Sequence, residues 1–174
     1  TADEHSLRMV RFLEELENKP NGFGELSENY KQLDTKILLK LSTLIQPGGE
    51  NKDCEDPKEH LKVLSPAIVH LDLNPEELQT VGFLVGNAYL MIETALHKDI
   101  HQPVVIEKFA KKVATINKLD LLYLRSYAEL RAVAPGTLTS WKKVLLSELY
   151  QRSRDYFRQP ESLHSRSLTT WVEV

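Results

Sequence analysis

Apolar residues recur along this chain at intervals of three and four, a period that predicts helices over most of its length. Leu7, Val10, Leu13 and Leu16, with Met9 and Phe12 beside them, mark one face of a helix over residues 3–18, closed by Pro20-Asn21-Gly22. A second helix is expected over 33–45, with Ile37, Leu38, Leu41, Leu44 and Ile45 turned inward. Two later starts are explicit. Asp56-Pro57-Lys58-Glu59 and Asn74-Pro75-Glu76-Glu77 each place a capping acceptor before a proline at the first helical position, with Glu at the third. Such a start satisfies backbone N–H groups that have no partner inside the helix and sets negative charge against the positive end of its dipole.

From Asn74 the stripe Leu78, Val81, Val85, Tyr89 and Ile92 predicts one helix running to about His97. Further helices are expected over 104–116 on Ile106, Phe109 and Val113, and over 119–133 on Leu121, Leu124, Ala128 and Leu130. Pro135-Gly136 then separates a last helix over 137–157, where Trp141, Val144, Leu145 and Leu149 recur at helical spacing. No segment alternates with a period of two between hairpin turns, so no strand is required. The expectation is an all-α bundle of six to eight helices, with residues 1–158 as the domain and 159–174 as a C-terminal tail or linker remnant.

Composition narrows the class without naming a function. A chain of 174 residues with 41% hydrophobic and 27% charged positions can bury a real core as one domain. A net charge of -3 provides no general attraction to nucleic acid or anionic lipid, so neither partner is expected. The cluster Lys108-Phe109-Ala110-Lys111-Lys112 reads as the solvated face of a helix. The lone cysteine, Cys54, cannot form an internal disulfide and reads as an ordinary loop thiol in a reducing, cytoplasmic setting. No apolar run approaches the roughly 20 residues that cross a bilayer. The polar, acidic start does not resemble a signal peptide. The chain opens on Thr rather than Met, which reads as a piece cut from a longer protein or a processed terminus.

One stretch points to a family. Residues 119–153, LDLLYLRSYAELRAVAPGTLTSWKKVLLSELYQRS, resemble the end of the HD domain in bacterial PII uridylyltransferase/uridylyl-removing enzymes. That pattern is a run of Leu ending in an Ala-Asp-Arg-Ala motif, followed by Pro, Trp-Lys and Leu-Leu-x-x-Leu-Tyr. Ala128-Glu129-Leu130-Arg131-Ala132, Pro135, Ser140-Trp141-Lys142 and Leu145-Leu146-x-x-Leu149-Tyr150 stand at the matching places. The opening Thr1-Ala2-Asp3-Glu4-His5-Ser6-Leu7 is similar to the start of that domain, which carries its first metal-binding histidine. The likeness spans roughly residues 1–155.

The resemblance implies an HD-domain-like fold whose histidines and aspartates hold one or two divalent metals, with a metal-bound hydroxide attacking a phosphodiester. Position by position, the donors are depleted. His5 remains. The adjacent His-Asp pair falls on Gln46-Pro47, a weak neutral carbonyl and a side chain with no donor. A further histidine falls near Asp56, already explained as a helix cap. The His-His pair falls on Asn87-Ala88, and the closing Asp falls on Glu129, one methylene longer. A catalytic divalent site needs three or more good ligands and an open water position.

No catalytic or metal site is therefore expected. His5, Gln46, Pro47, Asp56, Asn87, Ala88 and Glu129 are read as vestigial positions. No cofactor is expected, and the remaining donors leave room for weak divalent-metal binding only. His5 reads as a partly exposed histidine near a helix start, and Glu129 as a carboxylate bonded to Arg131 or Arg125. His60, His70, His97, His101 and His164 show no paired spacing and read as surface residues. Gly48-Gly49-Glu50-Asn51-Lys52 lacks the phosphate-cradling spacing and leaves a helix rather than opening one.

Three functions remain in order. The first is a non-catalytic helical domain inside a uridylyltransferase-like protein of nitrogen regulation. By resemblance, it would be flanked by nucleotidyltransferase and ACT domains and would position them or receive a PII-like protein. The second is a free-standing nucleotide- or protein-binding module using the old cleft, with Gln46, Asn87 and Tyr89 as its polar lining. The third is a phosphohydrolase with a rearranged site on His5, Asp56, Glu129 and Gln46.

Overall fold

The computed structural model describes residues 2–18, 23–45 and 71–159, and among these every regular element is a helix. In chain order they are α1 (Ala2–Asn18), α2 (Glu25–Gln32), α3 (Lys36–Leu44), α4 (Pro75–Gly86), α5 (Leu90–His97), α6 (Pro103–Val113), α7 (Ile116–Val133) and α8 (Ser140–Arg158). The all-α expectation holds for them. The start expected at Asp56, the loop thiol Cys54, the glycine-rich stretch 48–52 and the tail from 160 lie outside the described residues.

The architecture turns on α7. Every residue from Leu121 to Leu130 is buried, polar ones included, so this helix has no solvent face along three turns. It touches all seven other described helices. On one side α1 packs along it with α2 and α3, and α4 closes over α3 through a small apolar cluster of Leu38, Val81 and Val85. On the other side α8 packs against α5, α6 and α7. The main core joins Met9, Leu13 and Leu16 of α1 to Leu121, Leu122 and Leu124 of α7 and to Leu146 and Leu149 of α8.

Local chemistry explains the better-placed ends. Asn74 caps α4 as a full capping box: its Oδ1 accepts from the Glu77 N–H at 2.9 Å, and the Asn74 N–H donates to Glu77 Oε2 at 2.9 Å. Thr115 caps α7 through the Lys118 N–H. Gly136 takes φ 82° in the turn joining α7 to α8, a conformation that favours glycine.

Three expectations are corrected, and one helix is added. The helix expected from Asn74 to His97 is two helices, because the Asn87 N–H and side-chain amide both fold back on the Phe83 carbonyl and end the first. The segment 25–32 forms a helix that its polar sequence did not announce; only Leu26, Ser27 and Tyr30 are buried. The second expected helix starts at Lys36, and its inward face carries Leu38, Leu39, Ser42 and Thr43, leaving Ile37 and Leu44 exposed. Ser42 and Thr43 can be buried because each hydroxyl donates to a carbonyl three residues back, Leu39 and Lys40, at 2.7 Å. Leu7, Tyr89, Trp141 and Val144 also face outward instead of joining the core.

Candidate functional site

α1, α3 and α7 meet at a buried cluster of charge. The first turn of α1 carries His5, whose Nε2 lies 2.7 Å from Glu129 Oε1 on α7. A carboxylate accepts, so this contact puts the imidazole proton on Nε2. One helical turn before Glu129, Arg125 presents Nη1 to Glu129 Oε2 at 3.4 Å, and its Nη2 donates to the Ser42 carbonyl at 3.4 Å. Arg125 is 0% exposed, the largest fully buried side chain among the described residues. Its Nε finds no partner among them.

Helix geometry dictates these partners. Residues four apart share a face, so Arg125 and Glu129 stack, whereas Arg131, two residues on, points elsewhere. Arg131 instead reaches Glu15 at 3.3 Å and lies over the Phe12 and Phe23 rings, 5.0 and 5.2 Å from their centroids. Ser42 lies in the last turn of α3, where carbonyls lack helical partners and the dipole is negative; a guanidinium is the favoured neighbour there.

Tyr89 completes the cluster from the turn between α4 and α5. The residue is 41% exposed, yet its hydroxyl turns inward to Glu129 Oε1 at 3.5 Å. Burial raises its pKa and the Glu129 charge adds to that, while Arg125 works against it. Burial lowers the Arg125 pKa, and the Glu129 charge opposes that shift.

The seven expected vestigial positions therefore separate. His5 and Glu129 come together, and Tyr89 joins them. Asn87 points its amide nitrogen at the Phe83 carbonyl, 3.0 Å away, and Ala88 is buried in the core with no donor atom. Gln46, Pro47 and Asp56 lie outside the described residues. His5 and Glu129 are the two metal-ligating side chains that meet here, and no three His, Cys, Asp or Glu residues converge anywhere among the described residues. Arg125 was expected only as one of two possible neighbours of Glu129; the four-residue spacing was the signal that separates them.

The chain is 28% identical to a bifunctional uridylyltransferase/uridylyl-removing enzyme of Erythrobacter litoralis over 96% of its length, covering 18% of that enzyme. Enzymes of the same description from Nitrosococcus oceani and Vibrio atlanticus are 31% and 32% identical over 91% of the chain, which again covers 18% of each. The chain thus spans about a fifth of the length of the curated relatives it matches. No family model and no solved structure matches it. No helix of the described residues is long and apolar enough to cross a membrane.

Proposed function

We propose that this chain is a non-catalytic, HD-like helical domain of a uridylyltransferase-like protein of nitrogen regulation, serving to position neighbouring domains or to receive a partner protein. One observation carries the reading: the guanidinium of Arg125 is buried against the carboxylate and imidazole that would otherwise be the best metal donors. A divalent cation placed between His5 and Glu129 would stand beside a fixed positive charge in a poorly solvated site, where like charges repel strongly. The described donors also fall short of the three or more that a catalytic site needs. The residues described do not fit the metal. The similarity to one region of much longer enzymes supports the view that other segments of the parent protein perform the nucleotidyl transfer.

The same arrangement gives His5 and Glu129 a structural role in this reading. Their bond joins α1 to α7, and Arg125 joins both to the end of α3. The vestigial donors serve as a tie between helices.

The test is metal analysis of protein purified without chelator, together with Mn²⁺-dependent hydrolysis of bis(p-nitrophenyl) phosphate and of uridylylated PII protein. The expected result is less than stoichiometric metal and no metal-dependent turnover. Turnover that rises with Mn²⁺ and vanishes in H5A would establish the rearranged hydrolase and overturn the proposal. Restoring Gln46→His and Pro47→Asp together is expected to leave the protein inactive, since Asn87 and Ala88 still supply no imidazole.

A further inference from the structure

Helix α8 carries more apolar surface than its packing uses. Leu146, Leu149 and Tyr150 face the core, fully buried. Trp141 and Val144, one turn apart on the outward side, remain 55% and 62% exposed. Val144 and Ser147 line a groove of about 570 Å³ between α2, α7 and α8, which also takes in Leu26, Tyr123 and Tyr127.

Most charges on this face are already matched. Arg8 pairs with Glu4 at 2.7 Å, Arg131 with Glu15 at 3.3 Å and Arg152 with Glu148 at 2.8 Å. Two exposed charges at the groove are left over, Lys143 on α8 and Glu25 on α2; neither has an oppositely charged partner among the described residues. Glu25 accepts only from the neutral amide of Gln151, at 2.6 Å. Gln151 stands eight residues beyond Lys143 on α8, so the spare carboxylate and the spare cation are offset by about 12 Å along the helix. Ser147, a small residue, lies midway. The face is thus neutral as a whole and apolar beside Val144, with one unpaired charge of each sign toward its two ends.

We propose that this face docks a second copy of the chain about a two-fold axis near Ser147, with the two α8 helices antiparallel and Lys143 of each copy against Glu25 of the other. Val144 then stands beside the axis and Trp141 one turn further out, so the association covers both. The charge pattern selects this occupant. A neutral face gives no net attraction to an acidic or a basic segment. It gives none to a phosphate backbone either, even though Trp141 offers an open ring for stacking. A second copy supplies both missing counter-ions in one operation, at the spacing this face itself sets, which is what a two-fold requires of a self-complementary surface. The inference goes beyond the reading above and does not depend on the state of the metal site.

The test is analytical ultracentrifugation of the full chain up to about 0.5 mM, because a patch of this kind gives a weak dimer. A monomer–dimer equilibrium is expected, weakened at least about tenfold by K143E, by E25K and by V144D. V104D, which alters an exposed apolar residue of α6 outside the groove, should leave it unchanged. Circular dichroism and thermal melting verify that each variant folds. Mixing K143E with E25K is the decisive arm. Each brings the counter-ion the other lacks at both contacts, so the mixture should form a heterodimer about as tight as the unmodified pair, while neither variant pairs with itself. A chain that stays monomeric to about 0.5 mM, a dimer indifferent to V144D, or a mixture no tighter than its components would overturn the proposal.

Discussion

The two sides of α7 solve the burial of polar groups in opposite ways. Toward α1 and α3, Arg125 and Glu129 are buried as ions bonded to each other, to His5 and to a helix-end carbonyl, with Arg125 Nε left over. Toward α8, Tyr123 stacks on Tyr150 at 4.2 Å and meets Tyr127 edge-on at 5.5 Å, so rings do the packing. There the Tyr150 hydroxyl donates to Asp120 at 2.7 Å and accepts from Arg154 at 3.1 Å, which puts the charges at the rim. The lesson is that the ionic side is fragile to the loss of Arg125 or Glu129, because either deletion strands a buried charge. The aromatic side loses one bond at a time.

Perturbing the ionic side should give the largest effect. R125M leaves Glu129 buried without its cation and is expected to cost about 3–5 kcal/mol of stability in urea unfolding. R125M/E129L removes both charges and should recover most of that loss; failure to recover would mean the ions contribute beyond mutual neutralisation. On the aromatic side, Y150F removes the hydroxyl from a partly buried carboxylate and is expected to cost about 2 kcal/mol. If Y150F costs as much as R125M, the contrast between the two sides fails.

pH separates the sides further. Burial raises the pKa of Tyr123 and Tyr150, and burial with the nearby Glu17 and Glu14 raises Tyr30 to about 12. Above about pH 10 the unfolded chain loses phenolic protons that the folded chain keeps. Stability therefore falls as pH rises from there, through about 12 for Tyr30. Tyrosinate absorbance and circular dichroism should change together in one cooperative step; a gradual titration without unfolding would show that these rings are accessible. As a reference far from α7, N74A should cost about 1 kcal/mol, the ordinary worth of a cap.

The helix ends and much of the core were legible in the sequence where local chemistry decides them. Asn74-Pro75-Glu76-Glu77 placed the start of α4 because the capping box is made of neighbours. Residues such as Ile37 and Leu44 were misplaced because the face a helix turns inward depends on its neighbours, and Ser42 and Thr43 satisfy their hydroxyls within α3. The break at Asn87 was hidden because apolar residues continue across it. At the site, the resemblance singled out His5 and Glu129 position by position, and these two side chains meet. The role of Arg125 could not, since a charged residue within a Leu-rich run gives no sign of burial until Ser42 and Glu129 are seen on either side of it.

Arg125 also changes what the fold depends on. A metal holding three helices together is borrowed from solution: it must be supplied, it can be exchanged for a competitor, and a chelator can take it away. A guanidinium is synthesised with the chain and cannot dissociate from it. On the proposed non-catalytic reading, the meeting point of α1, α3 and α7 forms as those helices assemble, and a chelator is expected to leave its stability unchanged.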